Sequence, residues 1–127
     1  MKSGLLFLLI FSLLFFSCND KENVLPRTNP RFSTPSVQVI NQSEVEFIAQ
    51  VYDYGSDEII EYGFVFNNRS QLEIGKDQVV KGSGRPEKSF RLVSNHSFEI
   101  SKTYYVVAFI KTNKSVIYSQ AIPFNSK

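Results

Sequence analysis

The chain has no tryptophan, a single cysteine and a single histidine among its 127 residues. One cysteine cannot close an intramolecular disulfide, so the fold must be held together by burial alone, which is feasible for one core of this size. The lone histidine, His96, stands between Asn95 and Ser97 in a loop-like stretch. It has no partners with which to build a zinc site or a nucleophile–base pair, and reads as a solvent-exposed loop residue. Charge of one sign is also missing. The 14 Lys and Arg face 12 Asp and Glu, and removal of Lys2 with the leader described below leaves 13 against 12. Phosphate binding needs a concentrated basic face, so nucleic acid is not expected as a partner. Finally, there is no apolar run long enough to span a bilayer. Residues 5–16, all apolar except Ser12, would make a helix of about 18 Å against a hydrocarbon layer of about 30 Å.

What is present at the N-terminus is an address. A short positive segment, Met1-Lys2-Ser3, precedes the apolar run, and Ser17 and Cys18 follow it, which is the layout of a signal peptide over residues 1–17. The segment Leu14-Phe15-Phe16-Ser17-Cys18 resembles a bacterial lipobox, with Phe15 where that pattern prefers leucine. The resemblance implies cleavage before Cys18 and acylation of its thiol and new amino group. Three acyl chains exceed the two that stable membrane attachment requires, and a thiol committed to lipid is unavailable for catalysis. Asn19-Asp20-Lys21-Glu22 resembles the acidic stretch that directs Bacteroidetes lipoproteins to the outer leaflet, so the expected location is the outer membrane, lipid-anchored, facing the cell surface. Pro26, Pro30 and Pro35 lie in polar surroundings. Proline locks φ and removes a donor, so residues 18–34 read as lipidated cysteine plus tether, with an irregular first edge strand overlapping it after Phe32 as the alternative, and 35–127 as the folded domain.

The domain reads as strands. After residue 35 no long stretch keeps an apolar period of 3.6, while β-branched and aromatic residues come in short runs broken by Gly, Asn, Ser and Pro. Strands are expected near 37–40, 44–52, 59–66, 78–81, 89–93, 103–112 and 116–124. Seven short strands imply an all-β sandwich. Asn41-Gln42, Gly55-Ser56-Asp57 and Asn113-Lys114 supply turn chemistry between them, and Gly82-Ser83-Gly84-Arg85-Pro86 reads as a loop.

Two stretches carry a family resemblance. Ile59, Glu61, Gly63, Phe64 and Val65 match a strand of the form I-x-E-x-G-F-V. Tyr104, Tyr105, Val106, Ala108, Phe109 and Asn113, then Tyr118, Ile122 and Phe124, match a last hairpin of the form Y-Y-V-x-A-Y-x-x-N followed by Y-x-x-x-V-x-F. Together they resemble the fibronectin type III-like domains of Bacteroidetes lipoproteins, over about the C-terminal two thirds of the chain. The chain departs from that pattern in having Phe98-Glu99-Ile100 where Leu-x-Pro is usual, and Val107 where a basic residue is usual. The resemblance implies a single seven-stranded immunoglobulin/fibronectin type III-like sandwich, in which Tyr104 is the corner tyrosine with its hydroxyl bonded to upstream backbone. Alternation then turns Tyr104, Val106, Ala108 and Ile110 inward and Tyr105, Val107, Phe109 and Lys111 outward. Over 59–66 both parities are apolar, so the facing is open.

No motif for catalysis or cofactor binding emerges, and neither an enzyme nor a cofactor is expected. Asp53, Asp57, Glu58 and Glu61 cluster around a glycine turn, but without EF-hand spacing. A glycosidase pair would lack a cleft in so small a sandwich. Gly82-Ser83-Gly84-Arg85 precedes no helix that could cradle phosphate. The most informative surface is the outward stripe Tyr105, Val107 and Phe109, the candidate partner-binding residues. If open, such a stripe docks a protein partner or stacks on sugar faces; alternatively residues 68–78 fold over it. The resulting expectation is a membrane-anchored, non-enzymatic binding or assembly module whose partner is an outer-membrane protein complex. A glycan-binding accessory lipoprotein of a polysaccharide-uptake system is the alternative.

Overall fold

The computed structural model describes residues 28–126, so the expected signal peptide, Cys18 and the acidic stretch lie outside the described residues. Nine strands follow in order: β1 (Arg31–Phe32), β2 (Ser36–Val39), β3 (Val45–Asp53), β4 (Ile59–Asn67), β5 (Gln78–Ser83), β6 (Ser89–Ser94), β7 (Thr103–Thr112), β8 (Val116–Tyr118) and β9 (Ile122–Asn125). They form two antiparallel sheets. In one, β3 is flanked by β6 and by β1 and β2 in succession; in the other, β4 lies between β5 and β7, and β7 pairs with both β8 and β9.

The expected count of seven strands is corrected to nine, for two local reasons. The last expected strand splits around Ser119. The Ala108 N–H donates to the Ser119 hydroxyl at 2.9 Å, while the Ser119 N–H donates to the Ala108 carbonyl at 2.9 Å. A side chain thus replaces one main-chain acceptor and ends the ladder. The additional strand, β1, lies within the expected tether: Arg31 faces Asp53 and Phe32 faces Val51. The boundary at residue 34 therefore moves into the sandwich, whose first strand is interrupted between Phe32 and Ser36. Pro30 and Pro35 flank these short pieces and are buried, as proline can be at the ends of edge strands where no ladder donor is required. At the other boundary, β5 extends through Ser83, so Gly82 and Ser83 belong to a strand rather than to the expected loop.

The core lies between the sheets and is built from aromatic rings. Phe47 of β3 contacts Phe64, Phe66 and Phe124 at centroid distances of 5.4, 5.3 and 5.6 Å. Beyond the register shift that leaves Ile59 buried and Ile60 exposed, the even-numbered residues of β4 and β7, including Phe64, Phe66, Tyr104, Val106, Ala108 and Ile110, face this core. That settles β4: its two apolar parities exist because both faces of the sheet are covered. Gly63 sits against the β5 backbone, and a Cβ there would collide with the Val80 carbonyl. The glycine of the I-x-E-x-G-F-V strand is thus required by backbone proximity.

The topology also sorts the loops. Residues 54–58, 84–88 and 113–115 gather at one pole, where the described chain begins: the Asp57 N–H donates to the Thr28 carbonyl at 3.2 Å, and the Asn113 N–H to the Glu58 carbonyl at 2.9 Å. Residues 41–43, 68–77 and 95–102 lie at the opposite pole, where the Phe98 N–H donates to the Gln42 carbonyl at 3.0 Å.

Candidate functional site

Tyr104 is where the resemblance expects it. Its ring is buried, and its hydroxyl accepts the Glu99 N–H at 2.8 Å, five residues upstream. Phe98 takes the place of the expected leucine: it is 1% exposed and stands edge-on to Tyr104, with centroids 5.0 Å apart. The corner is a packing device, closed over the end of the core.

The outward stripe is not an open surface. Val107 and Phe109 do face away from the main core, but with Val65 they form a second buried cluster beneath Leu72, Ile74 and Val79. Phe109 is fully buried, and Tyr105 alone of the three stays partly exposed. The segment after β4 folds over the sheet, so Val107 and Phe109 are corrected from candidate contact residues to covered core. This also accounts for an apolar Val107 in place of a basic residue.

Asp77 holds that cover down. Its carboxylate accepts the Asn67 Nδ2, the Arg69 Nε, the Arg69 Nη2 and the Glu73 N–H, each at 2.8 Å, and the side chain is wholly shielded from solvent. The Arg69 guanidinium foremost, with the Glu73 and Asn67 donors, holds the Asp77 carboxyl at about 2, against an opposing contribution from burial. On its other side the cover is tied to β8, where the Tyr118 hydroxyl accepts the Ile74 N–H at 3.3 Å.

The other singled-out groups are dispersed. Asp53 caps its own turn, its Oδ1 accepting the Gly55 N–H at 2.9 Å; Asp57 lies 3.4 Å from Lys114, and Glu61 lies 3.3 Å from Lys81. Among the described residues no three His, Cys, Asp or Glu side chains converge in a way that could hold a metal ion. His96 is in a loop as expected, but it is half-buried rather than free. Its ring stands edge-on to Phe66 and Phe98 at 5.7 and 5.1 Å.

The opening left in the sandwich runs along β6. At the pole where the described chain begins, a depression of about 640 Å³ is lined by Tyr62, Arg85, Glu87, Ser89, Phe90 and Arg91. Towards the other pole a second, of about 280 Å³, includes Phe66, Val80, Val93 and His96 in its lining. Arg85 lies at the first end, with its guanidinium carbon 3.7 Å from the centroid of the Tyr54 ring. The Tyr54 hydroxyl in turn donates to the Pro86 carbonyl at 3.0 Å, so the surface on which Arg85 stacks is itself fixed. Nothing in the sequence singled out Arg85 beyond its place in a glycine-rich segment. Its role depends on which sheet edges meet.

The sheet order, with β6-β3-β1/β2 opposite β5-β4-β7-β8/β9, and the tyrosine corner define a fibronectin type III-like β-sandwich. No protein-family model and no curated protein matches the chain. Among solved structures, one described as a myokine structure overlays with a TM-score of 0.48 at 10% identity, covering 79% of this chain and 97% of that one. The third fibronectin III domain of the human KIAA0343 protein overlays with a TM-score of 0.46 at 16% identity, covering 80% and 83%.

Proposed function

We propose that the protein is a lipid-anchored, non-enzymatic binding or assembly module of a Bacteroidetes outer membrane, attached through acylated Cys18 and working by contact rather than turnover. The observation that carries this reading is the run Leu14-Phe15-Phe16-Ser17-Cys18, in which Ser17 and Cys18 directly follow the apolar segment 5–16. The occupations of the polar side chains support it further. Asp77 clamps a loop, Tyr104 closes a corner, and Asp57 and Glu61 answer lysines.

An anchor at Cys18 also gives the domain an orientation. The chain joins the sandwich at Thr28, beside the 54–58 turn, and the ten residues 18–27 reach at most about 35 Å. The pole holding 84–88 and 113–115 is then the one nearest the point of attachment, and the loops at 41–43 and 95–102 are the farthest from it along the sandwich. The length of β6, with the opening beside it, stands between the two and is presented sideways to neighbours in the membrane.

The test is metabolic labelling with palmitate followed by crosslinking and pull-down from intact cells. Label is expected in the wild type and lost in Cys18→Ala, and the wild type is expected to bring down a defined membrane-protein partner. Equal labelling of the variant would refute the anchor. Turnover of an ester, peptide or glycoside that a single Asp or Glu substitution abolishes would refute the non-enzymatic reading.

A further inference from the structure

Of the sandwich's edges, β6 is the one built to accept another strand. On the far side, the first strand is broken into pieces of two and four residues beside buried Pro30 and Pro35, and the last into pieces of three and four residues with Pro123 in the second. Short, interrupted and proline-bearing edges resist pairing. The β5 edge carries Lys81 and two nearby glycines, Gly82 and Gly84, which weaken it as a template. In contrast, β6 runs for six uninterrupted residues, Ser89–Ser94, without Pro or Gly, and among the described residues pairs only with β3. The hydrogen bond from the Val51 N–H to the Lys88 carbonyl at 2.7 Å fixes its phase. In an antiparallel ladder the inward and outward groups alternate, so with Ala49 opposite Phe90 and Phe47 opposite Leu92, the N–H and C=O of Ser89, Arg91 and Val93 point out of the sheet.

What lies beside that edge specifies the partner. Partly exposed Tyr62 and Val80 line the opening between the sheets over the buried Phe90 and Phe66, so alternate side chains of an added strand would meet Tyr62 and Val80 there and the others would face solvent. At the end near Ser89 stands Arg85, stacked on Tyr54 and in no ion pair among the described residues. Arg91 beside it is held only loosely, 3.7 Å from Glu46. Glu87 is the one carboxylate in this lining.

We infer that β6 binds an extended peptide segment of a partner protein, added antiparallel as a further strand, with alternate apolar residues over Tyr62 and Val80 and a carboxylate near its C-terminal end on Arg85. This rests on the binding-module reading and supplies its ligand class. Antiparallel addition puts the segment's C-terminal end at the start of β6, which is where Arg85 waits. Six residues at about 3.3 Å each give about 20 Å of ladder, and main-chain bonds provide affinity while the pockets and the arginine provide selection.

The experiment uses the full lipidated chain in detergent micelles and an acetylated eight-residue probe of alternating valine and threonine ending in aspartate. Two comparison probes carry asparagine at the end or N-methyl groups on alternate residues. Amide exchange followed by NMR is expected to slow at Arg91 and Val93 when the aspartate probe binds, with no change at Val37 or Val39. Arg85→Gln is expected to weaken the aspartate probe about tenfold, as for loss of one charge-assisted hydrogen bond, and to leave the asparagine probe unaffected. Val93→Pro removes an outward donor without touching the pairing to β3, and is expected to abolish binding while the spectrum stays dispersed. Undiminished binding of the N-methylated probe, protection at Lys81 and Ser83 instead of β6, or no binding to a folded protein would overturn the inference. Shifts at Tyr62 and Arg85 on adding an oligouronate, with no β6 protection by any peptide, would also overturn it, yet leave the binding-module reading standing. Loss of that reading would show in the palmitate experiment, which this one does not involve.

Discussion

Replacing Asp77 by asparagine tests whether the cover over the second cluster is held as described. The substitution keeps size and shape but removes the charge that answers Arg69, and it turns an amide N–H₂ towards donors that the carboxylate had accepted. The carboxyl's depression from 3.8 to about 2 corresponds to about 1–2 kcal/mol once screening at the half-exposed Arg69 is allowed for. The mismatched donor adds about 1 kcal/mol. A total near 2–3 kcal/mol should lower the melting temperature by roughly 10–20 °C for a domain of this size. Because the folded carboxyl is more acidic than the unfolded one, its contribution is complete above the ordinary value of 3.8 and fades as pH falls from there towards 2. Urea denaturation of wild type and Asp77→Asn between pH 7 and pH 2.5 should therefore show a gap that is widest at neutral pH and narrows in acid towards the cost of the mismatched donor. Amide exchange should accelerate at Leu72 and Ile74 in the variant. A gap below 0.5 kcal/mol at pH 7, or one of constant size across the range, would refute the clamp.

Three further outcomes follow from the packing. Tyr104→Phe leaves the Glu99 N–H without its acceptor and should cost about 1–2 kcal/mol in urea denaturation, with the fold retained. Phe109→Ala empties the covered cluster and should cost about 3–5 kcal/mol, whereas Tyr105→Ala, at a partly exposed position outside that cluster, should cost clearly less by the same measurement. Gly63→Ala drives a methyl group into the Val80 carbonyl, and should either cost about 1–3 kcal/mol or detach β5, which amide exchange at residues 78–83 would reveal.

The strands themselves were legible because each is a short apolar run ended by turn residues, a purely local signal. The seven expected ranges coincide with β2 to β7 and with the paired pieces β8 and β9. The facing of β7 was legible from its alternation, that of β4 was not. A strand covered on one side by a core and on the other by a loop shows apolar residues at both parities. The cover announces itself weakly, since Leu72 and Ile74 are its only large apolar residues before β5 and its clamp is a polar side chain bonding to its own neighbours. β1 was obscured by prolines that read as spacer, although they flank the strand rather than interrupt its pairing. The opening beside β6 and the place of Arg85 were beyond local reading. They depend on which two edges the topology leaves side by side, and that is settled by contacts between residues far apart in the chain.

The lipid anchor is the premise from which orientation and function both follow, and intact-mass measurement of the protein extracted from membranes tests it most directly. The account predicts a polypeptide beginning at Cys18 that carries a diacylglyceryl thioether and an acylated amino group. A processed chain with a free sulfhydryl at that position would contradict it.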